Sequence, residues 1–161
     1  MLKGFFAALA VGAAALGVSG VLSSAQAESA PPKKKSYSIG LIAKSQSNPV
    51  FIAARTGAED AAVELGKKYG VEIKIEWRTP VSEDAQKQAE AIEQLVASGV
   101  DGIAISASDA KVLTGAVNSA VDKGVPIVTF DSDIPQSKRF AYFGTDDVAC
   151  GKLLGDTLAD A

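Results

Sequence analysis

Four short polar segments of the sequence could do chemistry, because each follows directly on a run of apolar or β-branched residues. They span residues 44–49 (KSQSNP), 106–109 (SASD), 131–133 (DSD) and 144–147 (GTDD). Carboxylates accept hydrogen bonds and amides both accept and donate them, so this set suits a neutral ligand with several hydroxyl groups. None of the segments is glycine-rich or forms a phosphate-binding loop. Neither a dinucleotide nor a nucleoside triphosphate is therefore expected, and no cofactor is predicted.

Asp131 is the strongest candidate for ligand contact. It comes immediately after the apolar stretch 125–130, at a depth where an unpaired carboxylate is costly. Ser106 and Asp146 lie in polar segments that follow two other predicted strands, and we expect both of them in the ligand-binding site. Asp146 has a second interpretation, as the residue that caps the helix after it.

Three residues in and just after the first polar segment are further candidates, and each has a structural alternative. Asn48, which is followed by Pro49, either binds ligand hydroxyls or caps the helix that begins there. Phe51 either contacts the apolar face of a ligand or heads the apolar stripe of that helix. Lys44 lies at the mouth of the predicted site, where it either favours a modified or acidic ligand or is solvated.

Enzymatic and metal chemistry are not predicted. The chain contains no histidine, which excludes Ser-His-Asp and Cys-His catalysis and zinc sites that use imidazole. An enzyme would need Asp131 or Asp146 as a base, without a metal motif or a phosphate loop to support it. These residues could join Asp133 and Asp147 as Ca²⁺ or Mg²⁺ ligands, but the spacing of a calcium loop is absent. The single cysteine, Cys150, has apolar neighbours and is expected to be buried.

Alternating strand and helix patterns position the polar segments. Five strands are predicted, at residues 38–43, 71–77, 101–106, 125–130 and 140–143. The first, third and fourth are nearly continuous apolar runs, which is typical of parallel strands covered on both faces, whereas the second alternates as at a sheet edge. Four helices lie between and after them, and the last begins near Asp147 and continues to Ala161. The predicted fold is α/β, a doubly wound, Rossmann-like parallel sheet that binds ligands at the carboxyl ends of its strands.

The N-terminal residues 1–27 are interpreted as a signal peptide rather than as part of the fold. Lys3 gives a positive start, an apolar run follows at residues 5–22, and residues 25–27 form an A-x-A cleavage site. A membrane anchor is the alternative, because the apolar run approaches a spanning length. Cleavage after Ala27 predicts an exported, periplasmic protein that is not embedded in the membrane.

Residues 28–36 are interpreted as a tether, and residues 37–161 as a ligand-binding lobe. The lysine run at 33–35 follows two prolines and indicates a solvated chain rather than a nucleic-acid patch. The formal net charge is only -3, so no nucleic acid or other strongly charged partner is expected.

Four stretches of the chain also carry a family resemblance. They are 39–65 (IGLIAKSQSNPVFIAARTGAEDAAVEL), 97–108 (ASGVDGIAISAS), 124–139 (GVPIVTFDSDIPQSKR) and 142–155 (YFGTDDVACGKLLG). Together they resemble the type-1 periplasmic sugar-binding proteins, the ribose-, glucose- and galactose-binding receptors of ABC importers. The combination of these motifs is specific, and it covers essentially all of the chain after the predicted cleavage site.

The resemblance implies two similar lobes that close over a sugar about a hinge, with a membrane permease and an ATPase as partners. It also implies that Asn48 and Asp131 hydrogen-bond sugar hydroxyls and that Val50 and Phe51 contribute the apolar face of the site. Two positions depart from the ribose-type pattern. Ser132 stands where those receptors often carry arginine, and Val50 where they often carry an aromatic residue, which points away from ribose but not from sugars in general.

Members of the family are roughly twice as long as this chain, as two-lobed proteins are. We therefore expect an N-terminal lobe truncated within its last helix, with the second lobe missing. The predicted function is that of a monomeric periplasmic substrate-binding subunit of an ABC transporter, for a monosaccharide or a similar small polyhydroxyl solute. The alternative is a periplasmic sensory protein that presents its ligand to a chemoreceptor or a sensor kinase.

Overall fold

A computed structural model of the chain describes residues 34–160. Its elements are, in chain order, β1 (Ser36–Ile42), α1 (Pro49–Tyr69), β2 (Glu72–Trp77), α2 (Ala85–Ala97), β3 (Gly102–Ile105), α3 (Ala110–Asp122), β4 (Ile127–Phe130), β5 (Ala141–Phe143) and α4 (Asp147–Ala159). Each predicted strand and helix is present within this range. The predicted signal peptide, residues 1–27, and the tether as far as residue 33 lie outside the described residues.

The five strands form one sheet in the order β2-β1-β3-β4-β5, and every neighbouring pair is parallel. This order confirms the predicted doubly wound α/β fold, and it places the alternating strand β2 at an edge. The chain extends the sheet from β1 to β2 in one direction and from β3 to β5 in the other. Ligands of such sheets bind beyond the carboxyl ends of the strands where the order reverses, which here are β1 and β3.

The core lies on one face of the sheet, under α2 and α3. These two helices pack side by side, and their apolar side chains meet those of the central strands β1, β3 and β4. Ile42, Ile105 and Ile127, one from each of these strands, are fully buried together with Leu95 of α2 and Leu113 of α3. Burial of each such side chain contributes about 1.5–3 kcal/mol to folding. The core thereby fixes the relative positions of three strand ends.

The opposite face of the sheet is only partly covered, which corrects the expectation that β4 is buried on both faces. Val128 of β4 is 37% exposed and Phe143 of the neighbouring β5 is 86% exposed. The reason is that α1 packs on β2, whereas α4 buries none of its side chains. Cys150 on α4 is accordingly exposed rather than buried. The sequence pattern extended α4 to Ala161, but the helix ends at Ala159.

Each helix in the described range is preceded by a residue whose side chain caps it. The side-chain oxygens of Asn48, Asp84, Asp109 and Asp146 accept hydrogen bonds from backbone N–H groups in the first turns of α1, α2, α3 and α4. Such a cap stabilises a helix by about 1 kcal/mol. At its other end α1 is closed by Gly70, whose φ of 64° is left-handed. None of these four helices is long and apolar enough to cross a membrane.

Candidate ligand-binding site

The loops after β1, β3 and β4 meet at the carboxylate of Asp131. This residue follows β4 directly, and its Oδ2 accepts a hydrogen bond of 2.7 Å from the hydroxyl of Ser106, which follows β3. Lys44, in the loop after β1, places its Nζ 3.4 Å from the same oxygen. The hydroxyl of the adjacent Ser132 donates to it at 3.2 Å. The structure thus brings together three of the predicted site residues, Lys44, Ser106 and Asp131.

The surroundings of Asp131 keep its carboxyl group ionised. Partial burial acts to raise the pKa of this carboxyl, but the hydrogen bonds from Ser106 and Ser132 and the charge of Lys44 outweigh that effect and hold it below its ordinary value. An ionised carboxylate is a hydrogen-bond acceptor only. Its three partners all fall on Oδ2, so Oδ1 accepts no hydrogen bond from any group within residues 34–160. The site therefore presents an open acceptor oxygen beside a lysine ammonium.

The backbone of Asp131 has an unusual conformation. Its φ of 58° makes it the only residue other than glycine with a positive φ in the part of the chain that the structure describes. The amide of Ser132 donates to the carbonyl of Phe130 at 2.6 Å, which closes a three-residue γ-turn centred on Asp131. Backbone of this kind costs about 1–3 kcal/mol and persists only where surrounding contacts hold it, as is common at functional sites. The candidate site is therefore built on a strained residue.

Gln88 of α2 ties two of the site loops together from within the core. Its side chain is fully buried, and its Nε2 donates to the carbonyls of Ala43 at 2.9 Å and of Ser106 at 2.8 Å. Its Oε1 accepts a hydrogen bond of 2.9 Å from the amide of Ser108. Sequence reasoning missed this residue. The available signal was a polar side chain on the otherwise apolar stripe of the helix that begins at Ala85.

An ion pair closes the loop between β4 and β5. Asp133 accepts hydrogen bonds from Nε and Nη2 of Arg139, from the hydroxyl of Thr129 at 2.6 Å and from the amide of Ile134 at 2.7 Å. The Arg139 guanidinium holds the pKa of the Asp133 carboxyl below its ordinary value, although burial opposes this. The Asp133 carboxylate is thus hydrogen-bonded to groups in and beside this loop.

Among the described residues, no group of three or more acidic or thiol side chains is placed to hold a metal ion.

The other predicted site residues make different contacts. Asn48 caps α1 through its Oδ1, 3.0 Å from the amide of Val50, and its Nδ2 donates no hydrogen bond within residues 34–160. Phe51 is 4% exposed, in keeping with the core position that its pattern also allowed. Asp146 caps α4 by accepting from the amide of Ala149 at 2.9 Å. Ligand contacts of Asn48, Phe51 and Asp146 stay predictions.

An open recess of about 340 Å³ lies apart from this cluster, beside the edge strand. It is lined in part by Gln46, Trp77, Arg78 and Lys87, from the loop after β1, the end of β2 and the first turn of α2. It contains no member of the Asp131 cluster. The convergence of three strand ends, rather than this recess, therefore marks the candidate site.

Comparison with known proteins identifies the family of the chain. Residues 39–161 match the family model of the periplasmic binding protein domain. The chain belongs to the periplasmic binding protein family. Among its curated relatives in this family, the ribose import binding protein RbsB of Bacillus subtilis is 33% identical over 127 residues, which cover 79% of this chain and 39% of that protein.

Solved structures of similar proteins share the fold. An ABC transporter solute-binding protein from Burkholderia graminis, in complex with D-arabinose, superposes with a TM-score of 0.71 at 31% sequence identity. The matched region covers 80% of this chain and 43% of the Burkholderia protein. A complex of XylFII with LytSN gives a TM-score of 0.68 at 30% identity, with 78% and 44% covered. The chain thus spans less than half the length of each of these three relatives.

Proposed function

We propose that the chain forms one wall of a sugar-binding cleft in the substrate-binding subunit of an ABC importer. The observation that carries this proposal is the arrangement at Asp131, where a carboxylate with one open oxygen lies beside the ammonium of Lys44. A relative named for ribose import and a solved relative with bound D-arabinose support a monosaccharide or a similar small polyhydroxyl ligand.

Two neighbouring hydroxyl groups of a sugar match the chemistry of this pair of side chains. One hydroxyl donates to Oδ1 of Asp131, while its neighbour accepts from Nζ of Lys44. Hydrogen bonds with an ionised partner are roughly twice as strong as neutral ones, so both contacts favour binding. The side-chain NH₂ of Asn48 adds a further donor from the start of α1.

The balance of charge favours a neutral sugar over an acidic one. Lys44 and Asp131 carry opposite charges 3.4 Å apart, so the pair has no net charge. An acidic group drawn to Lys44 also meets the repulsion of the Asp131 carboxylate. We therefore assign Lys44 to neutral hydroxyl groups, rather than to the modified or acidic ligand that its sequence position also allowed.

Family membership supports the wider setting that we propose. Residues 1–27 direct export to the periplasm, and the whole protein closes two lobes over the sugar as a monomer. A permease and an ATPase then receive the ligand, which is bound and released without chemical change. The protein is in this proposal a binding protein and not an enzyme, and it uses no cofactor and no nucleic acid.

A sensory role is the second candidate function. It is favoured by the similarity to a solved complex in which XylFII is bound to LytSN. The two roles are separated by deleting the gene and measuring both uptake of the bound sugar and the response of the cells to it. Loss of sugar uptake after deletion of the gene supports import, whereas normal uptake with a lost transcriptional or motile response to the sugar supports sensing.

An NMR titration of the whole nitrogen-15-labelled protein tests sugar binding. The panel contains D-ribose, D-arabinose, D-xylose, D-glucose and D-galactose, with D-glucuronate as an acidic probe. We expect amide shifts at Asp131 and Ser132 with at least one neutral sugar, and at least a tenfold loss of affinity in Asp131→Asn, since a hydrogen bond to a charged group contributes about 1.5–3 kcal/mol. The control is Asp122→Asn, on the exposed end of α3. No shift with any sugar, or unchanged affinity in Asp131→Asn, contradicts the proposal.

A further inference from the structure

Both backbone polar groups of Asp131 are bound to the neighbouring strand β5. The amide of Asp131 donates to the carbonyl of Phe143 at 3.1 Å. Its carbonyl accepts a hydrogen bond of 2.9 Å from the phenol hydroxyl of Tyr142. The two partners are consecutive residues of β5, so the peptide units on both sides of the positive φ are held by the same strand.

The hydroxyl of Tyr142 bridges two carbonyl groups. Besides the carbonyl of Asp131, it lies 3.2 Å from that of Thr145, in the turn after β5, so its single hydrogen is shared between them. Burial, and then the nearby carboxylates led by Asp147 and Asp133, raise the pKa of the Tyr142 phenol. The phenol therefore stays protonated around neutral pH and remains a hydrogen-bond donor.

Gly144 provides the space that this tyrosine occupies. A Cβ built at position 144 lies 2.7 Å from Cε2 of Tyr142, and closer still to its Cζ and its hydroxyl oxygen. Gly144 does not have a positive φ, so its backbone conformation does not require glycine. Glycine is required here because a side chain would have no space. Any larger residue must displace either the phenol ring or the turn that carries it.

We propose that Tyr142 is a positioning residue for ligand binding, whose hydroxyl holds Asp131 in its γ-turn and so aims the carboxylate at Ser106 and Lys44. A return of Asp131 to negative φ turns its Cα–Cβ bond to a new direction, and the carboxylate then leaves these partners. Gly144 is the position that permits the arrangement. This inference rests on the proposed function, in which Asp131 accepts a sugar hydroxyl.

The test compares Tyr142→Phe with Tyr37→Phe in the full chain. The first variant removes only the hydroxyl that reaches Asp131. The second removes an equivalent hydroxyl at the amino end of β1, where it accepts from the amide of Lys34 at 3.1 Å. Two quantities are measured, the pKa of the Asp131 carboxyl by carbon-13 NMR and the dissociation constant for D-arabinose by NMR titration. The full chain of unaltered sequence is measured alongside.

We expect Tyr142→Phe to raise the pKa of Asp131 towards its ordinary value, because the carboxylate loses its aligned partners. We also expect it to weaken D-arabinose binding by roughly 3- to 10-fold, the range of one net hydrogen bond. Tyr37→Phe is expected to change neither quantity.

The two readouts separate failure of this inference from failure of the proposed function. An unchanged pKa of Asp131 in Tyr142→Phe overturns the positioning role, whatever the sugar titration shows. A raised pKa, with no binding of D-arabinose or the other panel sugars to any of the proteins, supports the positioning of Asp131 and overturns sugar binding instead. A lower melting temperature with unchanged pKa and affinity marks the hydroxyl as merely structural and also overturns the inference.

Discussion

The ammonium of Lys44 lies 3.4 Å from Oδ2 of Asp131 and so joins the carboxyl ends of β1 and β4, which flank β3 in the sheet. A lysine and an aspartate that are 87 residues apart in the sequence thus form one ion pair at the edge of the sheet. Because the charge of Lys44 helps to hold the pKa of the Asp131 carboxyl below its ordinary value, we expect removal of the lysine to change both the ionisation of that carboxyl and the ligand that the site accepts.

Lys44→Met is expected to raise the pKa of the Asp131 carboxyl and to weaken binding of neutral sugars by roughly tenfold, since a charge-assisted donor is lost. Carbon-13 titration and sugar titration measure the two effects. Lys111→Met, which removes an exposed lysine from α3, is the control and should change neither. An unaltered Asp131 pKa in Lys44→Met speaks against the ion pair.

Arg139→Gln is expected to lower the free energy of unfolding at pH 7 by about 2–3 kcal/mol, because Asp133 loses two charge-assisted hydrogen bonds from a largely shielded partner. The side chains of Arg139 and Asp133 are 22% and 20% exposed. Urea unfolding measures the loss. Lys138→Gln, which breaks an ion pair whose side chains are 56% and 59% exposed, is the control and should cost about 1 kcal/mol or less.

The cost of Arg139→Gln should depend on pH. Folding lowers the pKa of Asp133, so its stabilisation is complete above the unfolded carboxyl pKa of about 3.9 and is lost as the pH falls through the lower folded value. The difference in unfolding free energy between Arg139→Gln and the unaltered chain should therefore narrow below about pH 4. Urea unfolding between pH 7 and pH 3 measures this difference. A difference as large at pH 3 as at pH 7 would exclude the ion pair as its source.

Gln88→Ala is expected to destabilise the chain by about 2–4 kcal/mol, because it leaves two carbonyl groups and one amide without their buried partner. Gln86→Ala, two residues away on the exposed side of α2, should stay within about 0.5 kcal/mol of the unaltered chain. Thermal and urea unfolding compare the two variants. Equal stabilities for them would show that the buried amide does not hold the loops.

Gly144→Ala should depend on the residue at position 142. In the unaltered chain the added methyl group collides with the phenol ring of Tyr142, and we expect a loss of about 1–3 kcal/mol. In the background of Tyr142→Ala the collision is gone, and the same change should cost less than about 0.5 kcal/mol. Urea unfolding of the two single variants and the double variant gives the coupling. Equal costs of Gly144→Ala in both backgrounds would rule out the steric explanation.

The strand ends that carry Lys44, Ser106 and Asp131 could be predicted from the sequence. Apolar runs and helical stripes separate strand from helix, and a parallel sheet places all carboxyl ends at one edge. That local reasoning was enough to bring three polar segments together. It also allowed both alternatives for Asn48 and Phe51, because capping and core packing use the same residue types as ligand contact.

The contacts that support Asp131 from behind could not be predicted in this way. The hydroxyl of Tyr142 reaches Asp131 only because β5 lies beside β4, a pairing that no local pattern encodes. The positive φ of Asp131 is equally hidden, since aspartate tolerates that conformation but does not require it. The prediction that Val128 and Cys150 are buried was wrong, because an apolar residue is buried only where another element covers it.

The buried amide of Gln88 has a consequence for the entropy of binding. Loops that move independently lose conformational freedom when a ligand orders them, and affinity falls accordingly. Here the loops after β1 and β3 are joined through one side chain, so folding has ordered them before any solute arrives. This wall of the site is in that sense preorganised. If this wall binds a sugar as proposed, we expect discrimination among solutes to depend on how well they fit an existing shape, and not on how far the chain can adapt to them.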